Sequence, residues 1–363
     1  MLKQTILYIG GFELPDKNAA AQRVIGIAKG LREIGHEVIF LNSVKGNQNK
    51  EIKEKIYFGF RCFEYGRESE LDYLCLGRTA LAMIKRINPD VVIAYNYPAV
   101  ALDRIRLYCK KNKKKCYADA TEWYQAAGRN ILYRMIKNLD TVYRMRCVQK
   151  RLDGVIAISR YLFDYYKDSV KTILIPPTVD LSDEKWNVLC EKRNDTVSFI
   201  YAGVPYALKE KLDLIISSFM RIEKTHDNVR LNIVGVTEEQ FKERYKWTDQ
   251  ITSSVTFWGR IEHMQVVKLV KESDWAIILR DNNRVVKAGF PTKLVESISC
   301  GTPVIVNNFS NVVDYLDETN SILIESMDEL DIAIERACQS TICPERTLFD
   351  YHEYIKELSD LFC

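Results

Sequence analysis

The sequence predicts an α/β protein built from two successive, doubly wound parallel-sheet domains. Short apolar runs alternate with amphipathic helical stretches through the first 175 residues, the pattern of βαβ units and a parallel sheet. The alternation lapses in a polar, proline-led stretch from Pro176 to Asp195 and then resumes. At 363 residues the chain is long enough for two cores of ordinary size.

In the first half, strands are expected at 5–9, 38–41, 91–94, 115–118, 155–158 and 172–175, each a short run rich in Val, Ile, Leu or Tyr. Helices are expected at 19–34, 70–87, 100–111 and 129–150, where apolar residues recur every three or four positions. In the second half the order is strand 197–201, helix 209–223, strands 230–234 and 254–258, helix 262–273, strand 275–279, helix 292–300, and strands 303–306 and 322–324. Helices at 327–338 and 345–362 close the chain. The expected divisions are an N-terminal domain 1–180, a linker 181–195, a C-terminal domain 196–342, and a last helix 343–363 that returns to the first domain. Ligands of open α/β sheets gather at the carboxyl ends of strands, so the loops after Ile9, Ala118, Tyr201, Val234 and Leu279 are the places to look for chemistry.

Composition narrows the function. The net charge of +3 does not argue for nucleic acid. Met1-Leu-Lys-Gln-Thr5 leads directly into a strand, and no apolar run approaches the roughly 20 residues of a membrane span. Ten cysteines are scattered without a Cys-x-x-Cys pair, which reads as reduced thiols in a cytoplasmic protein. The four histidines are too dispersed for a metal cluster, and no Asp-x-Asp is present, so no metal is expected.

The richest stretch runs Gly289-Phe-Pro-Thr-Lys-Leu-Val-Glu296 and on through Cys300-Gly-Thr-Pro-Val304. Gly289 permits a tight turn or close approach to a ligand, Pro291 suits a helix start, and Gly301 suits its end. The unpaired N–H groups of such a start, from Phe290 to Lys293, offer a cradle for phosphate, and Glu296 one turn deeper can accept two hydroxyl hydrogen bonds. A diphosphate beside a diol describes a nucleotide-sugar.

This arrangement resembles the donor-binding element of glycosyltransferase family 4, retaining enzymes of the GT-B fold. Ile6-Leu-Tyr-Ile-Gly10-Gly11, Gly35-His-Glu-Val-Ile39, Gly154-Val-Ile-Ala-Ile-Ser159, Ile175-Pro-Pro-Thr-Val-Asp180, Tyr201-Ala-Gly203 and Phe257-Trp-Gly-Arg260 fall in that family's order. The resemblance implies two Rossmann-like domains facing across a cleft, with the acceptor held by the first and the donor by the second. It implies that Gly289, Phe290, Pro291, Thr292 and Lys293 hold the diphosphate, that Glu296 grips the ribose, and that Gly203 belongs to the donor loop. Lys209 stands where the family places a phosphate-binding lysine, a cation that offsets charge on the leaving group.

Two positions depart from the family pattern. Val204 replaces an arginine, for which Arg260 and Arg280 are candidate substitutes at strand ends. Ala288 replaces the first glutamate of a Glu-x7-Glu pair, which changes the shell around the donor sugar. On the acceptor side Gly10, Gly11 and Asn18 open the first helix, with Arg23 farther along it and expected in solvent. Asp119, Glu122 and Trp123 follow a strand end, where acids suit hydroxyls and aromatic faces suit pyranose C–H surfaces; Asn96 ends another strand. Asp119 and Glu122 are the candidates for positioning the acceptor, and a helix-capping cluster is the alternative.

The segment from Arg129 to Arg151 mixes apolar and basic residues. It reads either as a helix resting on the inner face of the cell membrane beside a lipid-linked acceptor or as a core-packed helix with a basic outer face. The expected activity is retaining, metal-independent transfer from a nucleotide-diphosphate sugar, with UDP the starting expectation, to a glycan or lipid-linked glycan in cell-surface polysaccharide synthesis. The alternatives are a non-catalytic binder of nucleotide-sugars or of a partner protein, and a sugar-nucleotide epimerase of the same fold.

Overall fold

A computed structural model describes residues 2–15, 19–44, 51–66, 72–124, 131–190, 195–205 and 210–362. They form two compact units: residues 1–178, 288–290 and 351–363, and residues 179–287 and 291–350.

The first unit is an eight-stranded sheet of β1 (Thr5–Gly10), β2 (Glu37–Val44), β3 (Lys53–Tyr57), β4 (Phe60–Gly66), β5 (Val91–Tyr95), β6 (Lys115–Ala120), β7 (Gly154–Ala157) and β8 (Thr172–Leu174). Its order is β3-β4-β2-β1-β5-β6-β7-β8, parallel except for the β3–β4 pair. The central strands are continuous apolar runs because helices cover both faces of a parallel sheet. Ile6, Leu7, Tyr8 and Ile9 of β1 and Val91 to Ala94 of β5 are fully buried. Helices α1 (Ala19–Glu33), α2 (Arg78–Ile87), α3 (Ala99–Lys111), α4 (Ile131–Tyr143) and α5 (Arg160–Tyr166) connect these strands.

The second unit carries six parallel strands: β9 (Val197–Ala202), β10 (Val229–Val234), β11 (Val255–Gly259), β12 (Trp275–Ile278), β13 (Val304–Asn307) and β14 (Ser321–Ile324). Their order is β11-β10-β9-β12-β13-β14. The helices are α6 (Leu212–Ile222), α7 (Glu238–Tyr245), α8 (His263–Glu272), α9 (Arg284–Ala288), α10 (Thr292–Ser299) and α11 (Leu330–Cys338). Phe199, Leu231, Phe219 and Trp275 are among the buried side chains of one core beneath this sheet. The closing helix α12 (Ile355–Phe362) belongs to the first unit, where Leu358 lies against Gly30 of α1 so closely that a Cβ on Gly30 would sit 2.5 Å from it.

Several local readings are corrected. The helix expected over 70–87 is broken among the described residues: a π turn, Asp72–Leu76, precedes α2, and Gly77 between them takes a left-handed conformation (φ 56°). The one helix expected over 345–362 is two 3-10 turns, Arg346–Phe349 and Tyr351–Tyr354, followed by α12, with Asp350 extended between the turns. The β3–β4 hairpin, α5, α7 and α9 have no counterpart in the sequence reading. Arg23, expected in solvent, is only 2% exposed.

In both sheets the strand order reverses beside the first strand of the unit. The reversal lies between β1 and β5 in one and between β9 and β12 in the other. At such a point the loops leave in opposite directions and open a crevice at the strand ends.

Candidate donor and acceptor sites

At the β9/β12 reversal, Gly203 follows the end of β9, and Leu279 and Arg280 follow the end of β12. Gly203 (φ +126°) and Gly235 (φ +104°) occupy backbone conformations that other residues rarely adopt. They are also packed too tightly for a side chain: a Cβ on Gly203 would lie 2.6 Å from Cε of Lys293, and one on Gly235 would lie 2.5 Å from the Gly203 carbonyl carbon. These glycines let the Lys293 side chain lie across the end of β9.

Lys293 comes from the first turn of α10, which begins after Pro291 with no side-chain cap. Its ammonium sits 3.7 Å from the centre of the Tyr201 ring and pairs with the buried carboxylate of Glu210. The other Glu210 oxygen accepts from Arg280 NH2 at 2.7 Å, and the Tyr201 hydroxyl donates to the same carboxylate. Arg280 is held by its backbone: its N–H donates to Asn307 Oδ1 and its carbonyl accepts from Asn307 Nδ2, both at 2.9 Å. Its Nε is buried and has no hydrogen-bond partner among the described residues.

Burial alone would raise the Glu210 carboxyl, but Lys293 and Arg280 outweigh it and hold it at about 2. Burial pushes the Lys293 ammonium down to about 8, against the pull of Glu210. Burial, followed by the Glu210 charge, carries the Tyr201 phenol well above its ordinary value. Two cations thus share one carboxylate at the mouth of a helix whose first amides carry partial positive charge. The cluster retains a net positive charge and an unused Arg280 donor, a setting suited to an anion.

One turn along α10, Glu296 is partly exposed, and its Oε1 lies 3.3 Å from Nε2 of His263 at the start of α8. Trp186 packs edge-on to the His263 ring, with centroids 6.4 Å apart. Thr292 is half-buried and Pro291 buried; Gly289 and Phe290 group with the first unit. Arg260 follows Gly259 at the end of β11 and is exposed. Lys209 lies outside the described residues.

Both departures from the family pattern can be located. Val204 is half-exposed just past Gly203. Ala288 is fully buried, and its carbonyl accepts from Ser159 Oγ at 3.0 Å.

At the β1/β5 reversal of the first unit stand Gly10, half-buried Gly11 and Asn96. A Cβ on Gly10 would meet the Phe12 ring at 2.6 Å and Tyr95 Cβ at 3.0 Å. Asn96 takes a positive φ of 40°, donates its backbone N–H to the Asp119 carbonyl and exchanges side-chain bonds with Thr121. Asn18 lies outside the described residues.

Asp119 is fully buried at the end of β6. It accepts from Arg23 (2.7 Å from NH2, 2.9 Å from Nε) and from the Tyr8 hydroxyl at 2.5 Å. Arg23 NH1 also donates to the carbonyls of Ile175 and Pro176. Glu122 is half-buried, and Trp123 is buried edge-on against Tyr161 and Tyr165.

Glu210, Tyr201 and His263 were not singled out from sequence. Glu210 stands in Lys209-Glu-Lys211, which reads as a solvated charged run, and only the fold turns its carboxylate inward.

Residues 191–347 match the family model described as "Glycosyl transferases group 1". No curated protein sequence matches the chain. Solved structures do match in fold. A sucrose-phosphate synthase from Thermosynechococcus elongatus superimposes with a TM-score of 0.65 at 15% identity, covering 99% of this chain and 95% of the other. The catalytic domain of starch synthase IV from Arabidopsis thaliana, bound to ADP and acarbose, gives 0.67 at 11% identity, with 99% of both chains covered. Anabaena HepE, in complex with UDP and glucose, gives 0.64 at 13% identity over 99% of both.

Proposed function

We propose, from the match of residues 191–347 to the glycosyl transferases group 1 model and from the GT-B fold, that the chain performs retaining transfer from a nucleotide-diphosphate sugar to a hydroxyl of a glycan or lipid-linked glycan. The observation that carries this reading is the cluster of Lys293 and Arg280 around Glu210 at the first turn of α10. The diphosphate is received by the amides of Thr292 and Lys293, by the Lys293 ammonium, and by the unused Nε of Arg280. Glu296, four residues on from Thr292 in the same helix, accepts the two ribose hydroxyls, with His263 fixing its carboxylate. Two charge-assisted hydrogen bonds are worth about 1.5–3 kcal/mol each.

In the transition state the departing diphosphate gathers charge. Lys293, Arg280 and the helix amides oppose that charge without reorganising. Lys209 is proposed as a further cation there. On the face-retaining route the leaving phosphate accepts the acceptor's proton, so no protein nucleophile is required. Gly10, Gly11, Asn18, Asn96 and Glu122 are proposed to line the acceptor side, with Asp119 holding that side in shape. The ADP- and UDP-containing complexes among the fold relatives support a nucleotide donor. Cell-surface polysaccharide synthesis is the proposed setting.

The test is release of nucleoside diphosphate from a panel of UDP-, GDP-, ADP- and dTDP-sugars by purified protein. The expected result is turnover of one donor class and a loss of about 10²–10⁴ in kcat/KM for Glu296→Ala, equivalent to two such bonds. A Glu296→Ala protein that turns over donor at the parent rate would remove the ribose role.

A further inference from the structure

Helix α4 turns its apolar side outward. At 3.6 residues per turn, Ile131, Leu132, Met135, Ile136, Leu139 and Val142 fill one continuous arc of roughly 140°. All six are exposed: Ile131 by 69%, Leu132 and Leu139 by 66% each. The opposite arc faces the protein. Thr141 is the one buried residue of the helix, and Lys137 and Asp140 are half-buried. Asp140 Oδ1 accepts the backbone N–H of Ala99 at the start of α3 at 2.8 Å, pinning the helix by its polar side. A surface helix ordinarily shows the reverse arrangement. Over Ile131–Tyr143, then, the apolar face is not packed into the core.

The charge carried by this segment is mostly of one sign. Between positions 131 and 151 the chain carries six basic residues and one acid, Asp140, which is already engaged. Arg134 and Arg146 are exposed. A second copy docked face to face through a two-fold axis would set this basic rim against itself with no free carboxylate on the helix to pair it. An anionic lipid surface meets both features, accepting the apolar arc among its acyl chains and the arginines among its headgroups. Among the described residues no helix is long and apolar enough to cross a membrane, so the contact is with one leaflet.

We propose that α4 docks the protein onto an anionic membrane leaflet, lying in the interface with Ile131, Leu132, Met135, Ile136, Leu139 and Val142 inserted. The inference is independent of the donor-site reading, since it uses no residue of that site.

The test is cosedimentation of the full chain with phosphatidylcholine vesicles, with and without phosphatidylglycerol. Binding is expected to the anionic vesicles and to weaken with salt. The triple variant Leu132→Ser, Met135→Ser, Leu139→Ser should lose at least tenfold in vesicle affinity while keeping the parent circular dichroism and melting temperature, because all three side chains are exposed. Arg134→Glu with Arg146→Glu should abolish the preference for anionic lipid. As a second measurement that leaves the apolar face intact, Ile136→Trp should shift its emission to the blue on anionic vesicles. The proposal is overturned if the parent does not sediment with anionic vesicles, if the triple variant binds as well as the parent, or if the parent is a dimer that the triple variant converts to monomer.

Discussion

Lys293 is the residue where packing and chemistry meet most closely. Its aliphatic stem fills the space that Gly203 leaves, and its ammonium faces Tyr201 and Glu210. Burial brings its pKa down to about 8, from an ordinary 10.5, so its charge is kept at neutral pH and lost as pH rises through about 8. In the folded state the group releases its proton earlier than in the unfolded chain. The unfolded chain therefore binds more protons between pH 8 and 10.5, and this residue's cost to stability is relieved as pH rises through that window. Anion binding runs the other way, because the charged form is the useful one. Nucleoside diphosphate affinity should fall above pH 8 by up to about tenfold per pH unit. Lys293→Arg should flatten that profile, since arginine keeps its charge. Calorimetric titrations at pH 7, 8 and 9 check this, and a Lys293→Arg protein with the parent's slope would assign the titration elsewhere. Legibility at this scale was uneven. Glu296 and Lys293 could be singled out because a Gly-Phe-Pro-Thr start and a Cys-Gly-Thr-Pro end frame them. Glu210 could not, since nothing local distinguishes a buried carboxylate from a solvated one in a Lys-Glu-Lys run.

Among the elements, β6 shows how a strand end can serve structure where sequence suggests chemistry. Asp119 joins β1 through Tyr8, α1 through Arg23, and the segment after β8 through Arg23's bonds to Ile175 and Pro176. Removing one partner of such a buried pair strands the other charge at a cost of about 3–5 kcal/mol. Asp119→Asn should therefore lower the melting temperature of the first unit markedly, with transfer activity reduced in proportion to folded protein. An Asp119→Asn protein of parent stability that had lost transfer would instead return Asp119 to direct acceptor positioning. The central strands were legible because burial on both faces demands unbroken apolar runs. The β3–β4 hairpin was not: Lys53-Glu-Lys-Ile-Tyr57 is largely exposed at the sheet edge and shows no alternation. Nor was the break at Gly77, where apolar spacing on both sides continues a helical period that the left-handed glycine interrupts. For α4 the spacing gave an amphipathic helix over 129–150, of which 131–143 is α-helix and 144–151 a π turn and a 3-10 turn; spacing cannot say which face meets the protein.

For the molecule as a whole, each unit places its candidate residues where its own strand order reverses, Gly10 and Asn96 in one and Gly203 and Arg280 in the other. Strand order is a long-range property that no local pattern encodes, although the loops to inspect followed from the alternation of strand and helix. The fold then explains why residues far apart in sequence, from Tyr201 to Asn307, converge on one cation pair. That convergence is the central claim, and titration calorimetry of UDP, GDP and ADP against the matching monophosphates tests it most directly. One diphosphate should bind at least tenfold more tightly than its monophosphate, and Lys293→Ala should erase most of that gap while leaving monophosphate binding nearly unchanged. Equal affinity for the two phosphates in the parent, or a Lys293→Ala protein that keeps the gap, would contradict a diphosphate seat at the first turn of α10.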